Sequence, residues 1–462
     1  MTRWAWLFDI GSTFTKLAVV DLDDPGNRYR AQAPTTVATD VREGFMAAID
    51  GVHRQHGPRF EDAAFRAASS SAAGGLALVV SGLVPRLSTE AGRIAALGAG
   101  AKLIGTLTYR INAEDLEALE RWRPDIVLLT GGTDGGDREI LLANATALAV
   151  WEECPAVIVA GNREVSAQAT EILCDGGVRA ITVPNVLPEL DTLVPEPVRA
   201  AIRDEFFTNI VRAKGIDKVR DRLDAEILPT PGVVLDAVAL LAQRLFRGGV
   251  VAVEVGGATT NVHSWGPSEL EEGVVLRGLR EPPLIRTVEG DLGVRWNAET
   301  ILELAGESFL TDHGAEDLDE LRAYVDRIAR APATLPADER ERQFDGLLAT
   351  FAARTAIVRH CGHHRQVMLP EGPVLVQEGK DLRRVEAVLG TGGSVIAAAD
   401  PAAIVRDALA STDPFALVPE SPDVLIDSDY VLYAAGLLAD SHPDTGVELA
   451  RRSLHQTAGI RA

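Results

Sequence analysis

Three short runs of residues have the types and spacing to hold one anionic ligand. The first is Asp9-Ile10-Gly11-Ser12-Thr13-Phe14-Thr15-Lys16. Glycine and small hydroxyl residues at a hairpin tip can turn several backbone N–H groups and hydroxyls toward a single anion. Asp9 can hold Mg2+ through water, because that ion sheds its waters reluctantly. Lys16 can meet a phosphate oxygen as a point charge. The second run, Glu254-Val255-Gly256-Gly257-Ala258-Thr259-Thr260, repeats the order of acid, apolar residue, glycine, small residues and threonine. The third, Leu389-Gly390-Thr391-Gly392-Gly393, has glycines that let a base and ribose lie close to the backbone. A plain β-hairpin would account for either of the first two alone, since Gly and Ser are common in turns. Their recurrence makes a shared phosphate site the expectation.

The surrounding elements are those that would position such loops. Trp4–Phe8 and Thr15–Val20 read as strands flanking the first run, and Val41–His53 has helical spacing with Asp40 as its N-cap. Between residues 65 and 190, apolar runs at Leu76–Val80, Lys102–Leu107, Ile126–Thr130, Ala156–Ala160 and Val178–Val183 alternate with helical stretches. That alternation is the pattern of a parallel sheet covered on both faces. Pro184, Pro188, Pro195 and Pro197 mark its exit. A helix from Val233 to Phe246 then leads into a strand at Val250–Val255 and the second glycine turn. Residues 297–360 read as mostly helical, and strands return at Val374–Gln377 and Val385–Leu389.

The chain has 462 residues, which favours more than one domain. Lys and Arg total 45 against 67 Asp and Glu, a formal net charge of −22. Such a surface repels phosphate backbones and argues against a nucleic-acid binder. Hydrophobic residues at 46% and charged residues at 24% are a globular balance. Three cysteines without a CxxC pair make neither a disulfide framework nor a zinc ribbon. The first apolar stretch is too short for a signal segment and is cut by Asp9. No run approaches the length of a membrane span. A cytoplasmic protein is expected.

The order of the three glycine runs resembles the actin-like ATPase superfamily. The resemblance implies an α/β protein of two ribonuclease-H-like lobes with ATP and Mg2+ in the cleft between them. It places Asp9, Gly11, Ser12, Thr13 and Lys16 in a first phosphate loop, and Gly256, Gly257, Thr259 and Thr260 in a second. Gly390, Gly392 and Gly393 fall in an adenosine loop, and Asp9 and Glu254 become the metal-holding and catalytic acids. Further runs narrow the resemblance: Ser69–Leu76, Leu129-Thr130-Gly131-Gly132-Thr133-Asp134-Gly135-Gly136, Val159–Asn162, Thr287–Gly293 and Gln377–Leu382. Together they resemble the MutL family of glutamate mutase accessory proteins, unrelated to the mismatch-repair protein of that name. That family implies a reactivating chaperone, with subunits of an adenosylcobalamin-dependent carbon-skeleton mutase as partners. The implied plan is a first lobe beginning at 1–64, a doubly wound α/β module inserted at 65–190, a helical return at 191–232, and a second lobe at 233–462 with a helical insertion at 297–360.

The resemblance implies Asp at position 254 and a carboxylate at 261, where this chain has Glu254 and Asn261. Glu reaches one methylene further and Asn removes a charge near the metal, so slow hydrolysis is expected. The alternatives are a small-molecule kinase, an ATP-dependent amidohydrolase or carboxylase subunit, and a nucleotide-binding scaffold without turnover. A kinase needs a carboxylate base beside the acceptor hydroxyl, and Asp134 and Asp291 are the candidates. Three motifs stay open between chemistry and structure. Gly131–Asp137 is either an anion site at a helix N-terminus, with Thr133 and Asp134 exposed, or a glycine-rich turn. His360-Cys361-Gly362-His363-His364 is either a two-ligand metal contribution from His360 and His364 or a basic helix C-terminus. Glu289 and Asp291 either position metal or water, or Asp291 caps a helix.

Overall fold

The computed structural model describes all residues except Met1, 12–13, 37–39, 72–75, 207–215, 268, 316, 371, 411–412 and 457–462. The chain starts as an antiparallel meander of β1 (Trp4–Ile10), β2 (Phe14–Asp21) and β3 (Arg28–Pro34). A fourth strand, β4 (Phe65–Ser70), lies parallel to β1. β1 is buried almost throughout because both of its faces are covered. Trp6, Phe8 and Ile10 pack with Phe45 and Ile49 of the helix Val41–His56, while Ala5 and Leu7 meet Val233 and Tyr433. Each large apolar side chain buried this way contributes about 1.5–3 kcal/mol. Asp40 caps that helix by accepting from the Arg42 N–H.

A parallel sheet follows, built of β5 (Ala77–Gly82), β6 (Lys102–Thr108), β7 (Ile126–Leu129), β8 (Ala156–Val159) and β9 (Ala180–Thr182), in the order β6-β5-β7-β8-β9. Its side chains split by alternation between two cores. Leu78, Val80, Ile126, Leu128 and Ile158 face the first, and Val79, Val127, Leu129, Val157 and Val159 face the second. Helices therefore cover both faces of a doubly wound module. The chain then returns to the first sheet, where β10 (Leu228–Pro229) pairs parallel to β4.

The boundary expected at residue 65 is displaced. Phe65–Ser70 is a strand of the first lobe, and the module's strands begin at Ala77. A six-residue run such as FRAASS carries no mark of which sheet it joins; pairing with β1 decides it.

The second lobe contains β11 (Val250–Val255), β12 (Thr260–Trp265), β13 (Val274–Leu276), β14 (Leu284–Glu289), β15 (His363–Leu369), β16 (Gly372–Glu378), β17 (Ala387–Thr391), β18 (Asp423–Asp427) and β19 (Leu454–Gln456). Its main sheet runs β14-β12-β11-β17-β18-β19. β14, β12 and β11 are antiparallel, and β17 and β18 continue parallel. Apart from the added edge strand β19, this is the order and sense of β3-β2-β1-β4-β10 in the first lobe. Both lobes are thus ribonuclease-H-like sheets. β13, β16 and β15 form a small separate sheet, and helices Ala298–Asp312, Leu318–Arg330 and Glu339–His360 cover one face of the lobe.

The helix Thr230–Arg244 belongs to both halves. Val233 and Val234 pack into the first lobe, and Ala237, Val238 and Leu241 into the second. It crosses the helix Leu432–Leu437 at Gly436, where a Cβ would lie 1.9 Å from the Val233 carbonyl oxygen. Among the described residues, no helix is long and apolar enough to cross a membrane.

Candidate functional site

The two acid-glycine hairpins match position for position. The Gly11 N–H donates to the Phe14 carbonyl at 3.1 Å, and the Gly256 N–H donates to the Thr259 carbonyl at 3.0 Å. A Cβ on Gly11 or Gly256 would sit 2.8 or 2.9 Å from those oxygens, so the tightness of each turn requires glycine. Asp9 pairs across its hairpin with Lys16, as Glu254 does with Asn261. Gly392 has φ 106°, and a Cβ there would meet the Val255 carbonyl oxygen at 2.2 Å; the third loop is pressed against the second. Ser12 and Thr13 lie outside the described residues.

Together the hairpins form a cleft of about 710 Å³, lined among others by Asp9, Lys16, Glu254, Gly257, Thr259 and Gly393. Gly11, Gly256 and Gly392 also line it. Thr260 does not: its buried hydroxyl donates to the Leu292 carbonyl at 2.6 Å. Strand alternation turns this side chain to the opposite face from Asn261. Gly390 lies inside β17 against Val405 and is structural.

Asp9 is buried and held from several sides. Thr230 Oγ1 donates to its Oδ1 at 2.7 Å, Ser69 Oγ at 3.4 Å, and Lys16 Nζ lies 3.6 Å from Oδ2. Lys16 Nζ also sits 3.6 Å from the centre of the Tyr430 ring. A cation–π contact is worth about 0.5–2 kcal/mol, against about 1.5–3 kcal/mol for a hydrogen bond to a charged group. A phosphate would therefore compete for this ammonium. The Tyr430 hydroxyl donates to Glu254 Oε1 at 3.3 Å, and the Asn261 amide to Glu254 Oε2 at 3.1 Å. Asn261 Oδ1 in turn accepts from Arg286 at 3.0 Å.

Burial, and next the charge of Asp9, push the Glu254 carboxyl above its usual range; Lys16, Arg286 and the Asn261 amide oppose this. Burial pulls the Arg286 guanidinium down to about 9, so it stays charged at neutral pH. Two carboxylates facing one cleft are a donor set suited to a hard divalent cation. Among the described residues no group of three or more His, Cys, Asp or Glu could hold a metal alone. A hollow of about 220 Å³ opens from Gly257 and Gly393 between Leu335, Pro336 and Ala397, with Arg295 and Arg342 on its wall.

Thr230, Ser69, Tyr430 and Arg286 were not read from the sequence as site residues. Ser69 opens the Ser69–Leu76 run, but no local spacing marks the other three. Elsewhere the open motifs resolve structurally. Asp134 Oδ1 accepts from the Arg163 N–H at 3.0 Å and the Asn185 amide at 2.9 Å, and Asn162 ties Gly135, Gly136 and Asp137. The Gly131–Asp137 segment is a turn held in place by Asn162, Arg163 and Asn185. His360 is buried between Thr287 and Ser264 hydroxyls, each at 2.8 Å, whereas His364 lies on β15; they share no helix face. Glu289 and Asp291 both accept from Arg359.

Paired ribonuclease-H-like lobes facing each other across matched glycine hairpins define a protein of the actin-like ATPase fold. The profile of the family described as "MutL protein" matches residues 5–454. "Protein MutL" of Clostridium tetanomorphum is 37% identical over 454 residues, spanning 97% of this chain and 98% of that protein. The chain belongs to the MutL protein family. Looser likenesses extend to diol dehydratase-reactivating factor in its nucleotide-free form, with TM-score 0.38 and 14% identity over 95% of this chain and 100% of that one. Nucleotide-free acetone carboxylase gives TM-score 0.40 and 11% identity over 95% of this chain and 70% of the other.

Proposed function

We propose that this protein is an ATP-dependent reactivating chaperone of an adenosylcobalamin-dependent carbon-skeleton mutase of the glutamate mutase type, exchanging inactive cobalamin for fresh cofactor. The observation that carries the proposal is the pair of matching hairpins, one from each lobe, facing a single cleft in a chain of the MutL family. Asp9 and Glu254 would hold Mg2+ through water. Lys16 and the backbone of Gly256 and Gly257 would take the phosphates, with Thr259 beside them and the nucleoside toward Gly393 and the adjoining hollow. Ser12 and Thr13 belong to the same proposed grip.

Phosphates gripped from both sides draw the lobes together about the shared helix Thr230–Arg244, and loss of the terminal phosphate releases part of that grip. The cycle shifts the partner only as far as the two states differ in affinity for it. Glu254 has both oxygens engaged by Asn261 and Tyr430, which supports slow turnover. The kinase alternative lacks a free base at its candidates, since Asp134 and Asp291 are both tied into structural contacts.

The test combines inactivated mutase, free adenosylcobalamin, Mg-ATP and this protein. Activity should return only with all four and should fail with Lys16→Ala or Asp9→Ala. Equal recovery without ATP defeats the chaperone cycle. Rapid phosphorylation of a metabolite establishes the kinase instead.

A further inference from the structure

We infer that Lys102, carried by the inserted module, contacts the phosphates in the cleft and is the point at which the module senses the nucleotide. The inference rests on the nucleotide reading above and adds a residue that neither hairpin supplies. Lys102 is the first residue of β6, and its N–H donates to the Leu76 carbonyl at 2.8 Å, which fixes where its side chain leaves the sheet. That side chain lines the same cleft as Asp9, Lys16 and Glu254. Its Cε lies 3.6 Å from the point where a Cβ on Gly290 would stand. The Gly290 carbonyl accepts from the Asn297 amide at 3.0 Å, and the same amide donates to the Ala258 carbonyl at 3.0 Å. Ala258 is at the tip of the second hairpin. One asparagine therefore pins that tip to the turn against which Lys102 rests.

The segment leading to Lys102 is also wired to the acid of the second hairpin. Arg286 donates to the Leu97 carbonyl at 3.0 Å and the Ala101 carbonyl at 3.4 Å, at the end of the module helix Ser88–Gly98. The same guanidinium donates to Asn261, which donates to Glu254. This chain of contacts runs without interruption from the cleft acid to the residue preceding Lys102, and all its side chains are buried. Among the described residues Lys102 has no ion-pair partner. An ammonium group lining a cleft that also holds two carboxylates is placed to meet an incoming polyphosphate. Because the module is tied to the second lobe through Arg286, a phosphate bridging Lys102 and the second hairpin would tighten that seam.

The experiment measures binding of Mg-ATP, Mg-ADP and inorganic tripolyphosphate to wild type, Lys102→Met and Lys102→Arg by calorimetry. Hydrogen exchange of the segment 88–102 is followed with and without Mg-ATP. Lys102→Met should weaken Mg-ATP and tripolyphosphate by about tenfold or more, the loss expected for one charge-assisted phosphate contact. Lys102→Arg should restore most of it. Nucleotide should protect residues 88–102 in wild type and not in Lys102→Met. Equal affinities and equal protection in wild type and Lys102→Met overturn this inference alone. A wild type that binds none of the three ligands overturns it together with the nucleotide reading.

Discussion

Asn261 donates its side-chain amide to Glu254 Oε2 at 3.1 Å, directly across the second hairpin. The longer Glu254 reaches both this amide and the Tyr430 hydroxyl, so its carboxylate is held by protein groups on both oxygens. Shortening it should release those contacts and free the acid for metal and water. Glu254→Asp is expected to raise basal ATP hydrolysis by about three- to tenfold, less than about 1.4 kcal/mol of barrier, with little change in nucleotide affinity. Steady-state phosphate release decides this. A slower variant would mean that the glutamate reach is the working geometry.

Mg-ATP should raise the melting temperature by several degrees, since a ligand binding only the native state at a hundred times its Kd adds about 2.7 kcal/mol. Gly257→Val, which places a branched side chain in the cleft, should abolish the rise. Thr230→Val should reduce it, because Asp9 loses its 2.7 Å donor. Differential scanning calorimetry of the three proteins, with and without nucleotide, provides the check. No shift in wild type with either Mg-ATP or Mg-ADP would reject the proposed cleft ligand.

His360 is buried between two hydroxyls, and burial pulls its imidazole down to about 3. Its unfolded value is about 6.5. Between those values the unfolded chain binds the proton and the native state does not, so this group costs stability progressively as pH falls from about 6.5 to 3. The cost approaches about 1.4 kcal/mol per pH unit. His360→Gln keeps a polar group at the site and removes the titration. The stability difference, wild type minus variant, should therefore grow more negative on acidification through this window. Urea melts at pH 7, 6, 5 and 4 measure it, and parallel curves would refute it.

Gly436 allows the helix Leu432–Leu437 to cross the shared helix with no room for a methyl group, the virtual Cβ falling 1.9 Å from the Val233 carbonyl oxygen. Gly436→Ala should force the helices apart and cost about 1–3 kcal/mol. The midpoint of chemical unfolding reports this. An unchanged midpoint would show that the crossing can relax at no cost.

The glycine hairpins could be read from the chain because their chemistry is local. A turn that brings the Gly11 N–H to Phe14, or the Gly256 N–H to Thr259, depends on residues adjacent in sequence. The module was readable for a similar reason, since unbroken apolar runs such as Ile126–Leu129 demand cover on both faces. Long-range pairing was not readable. Phe65–Ser70 joins β1 rather than the module because a partner strand far along the chain accepts it. The direction of the Thr260 hydroxyl follows from strand register, and Thr230 reaches Asp9 only because the return from the module ends beside β4. The elevated proton affinity of Glu254 comes from desolvation and the approach of Asp9 across the cleft. Residue types and short spacings therefore specify which groups can hold a phosphate. Which of them face it, and how acidic they are there, is set by the packing of two lobes and a module, because burial and charge proximity are properties of neighbours that the linear order does not list.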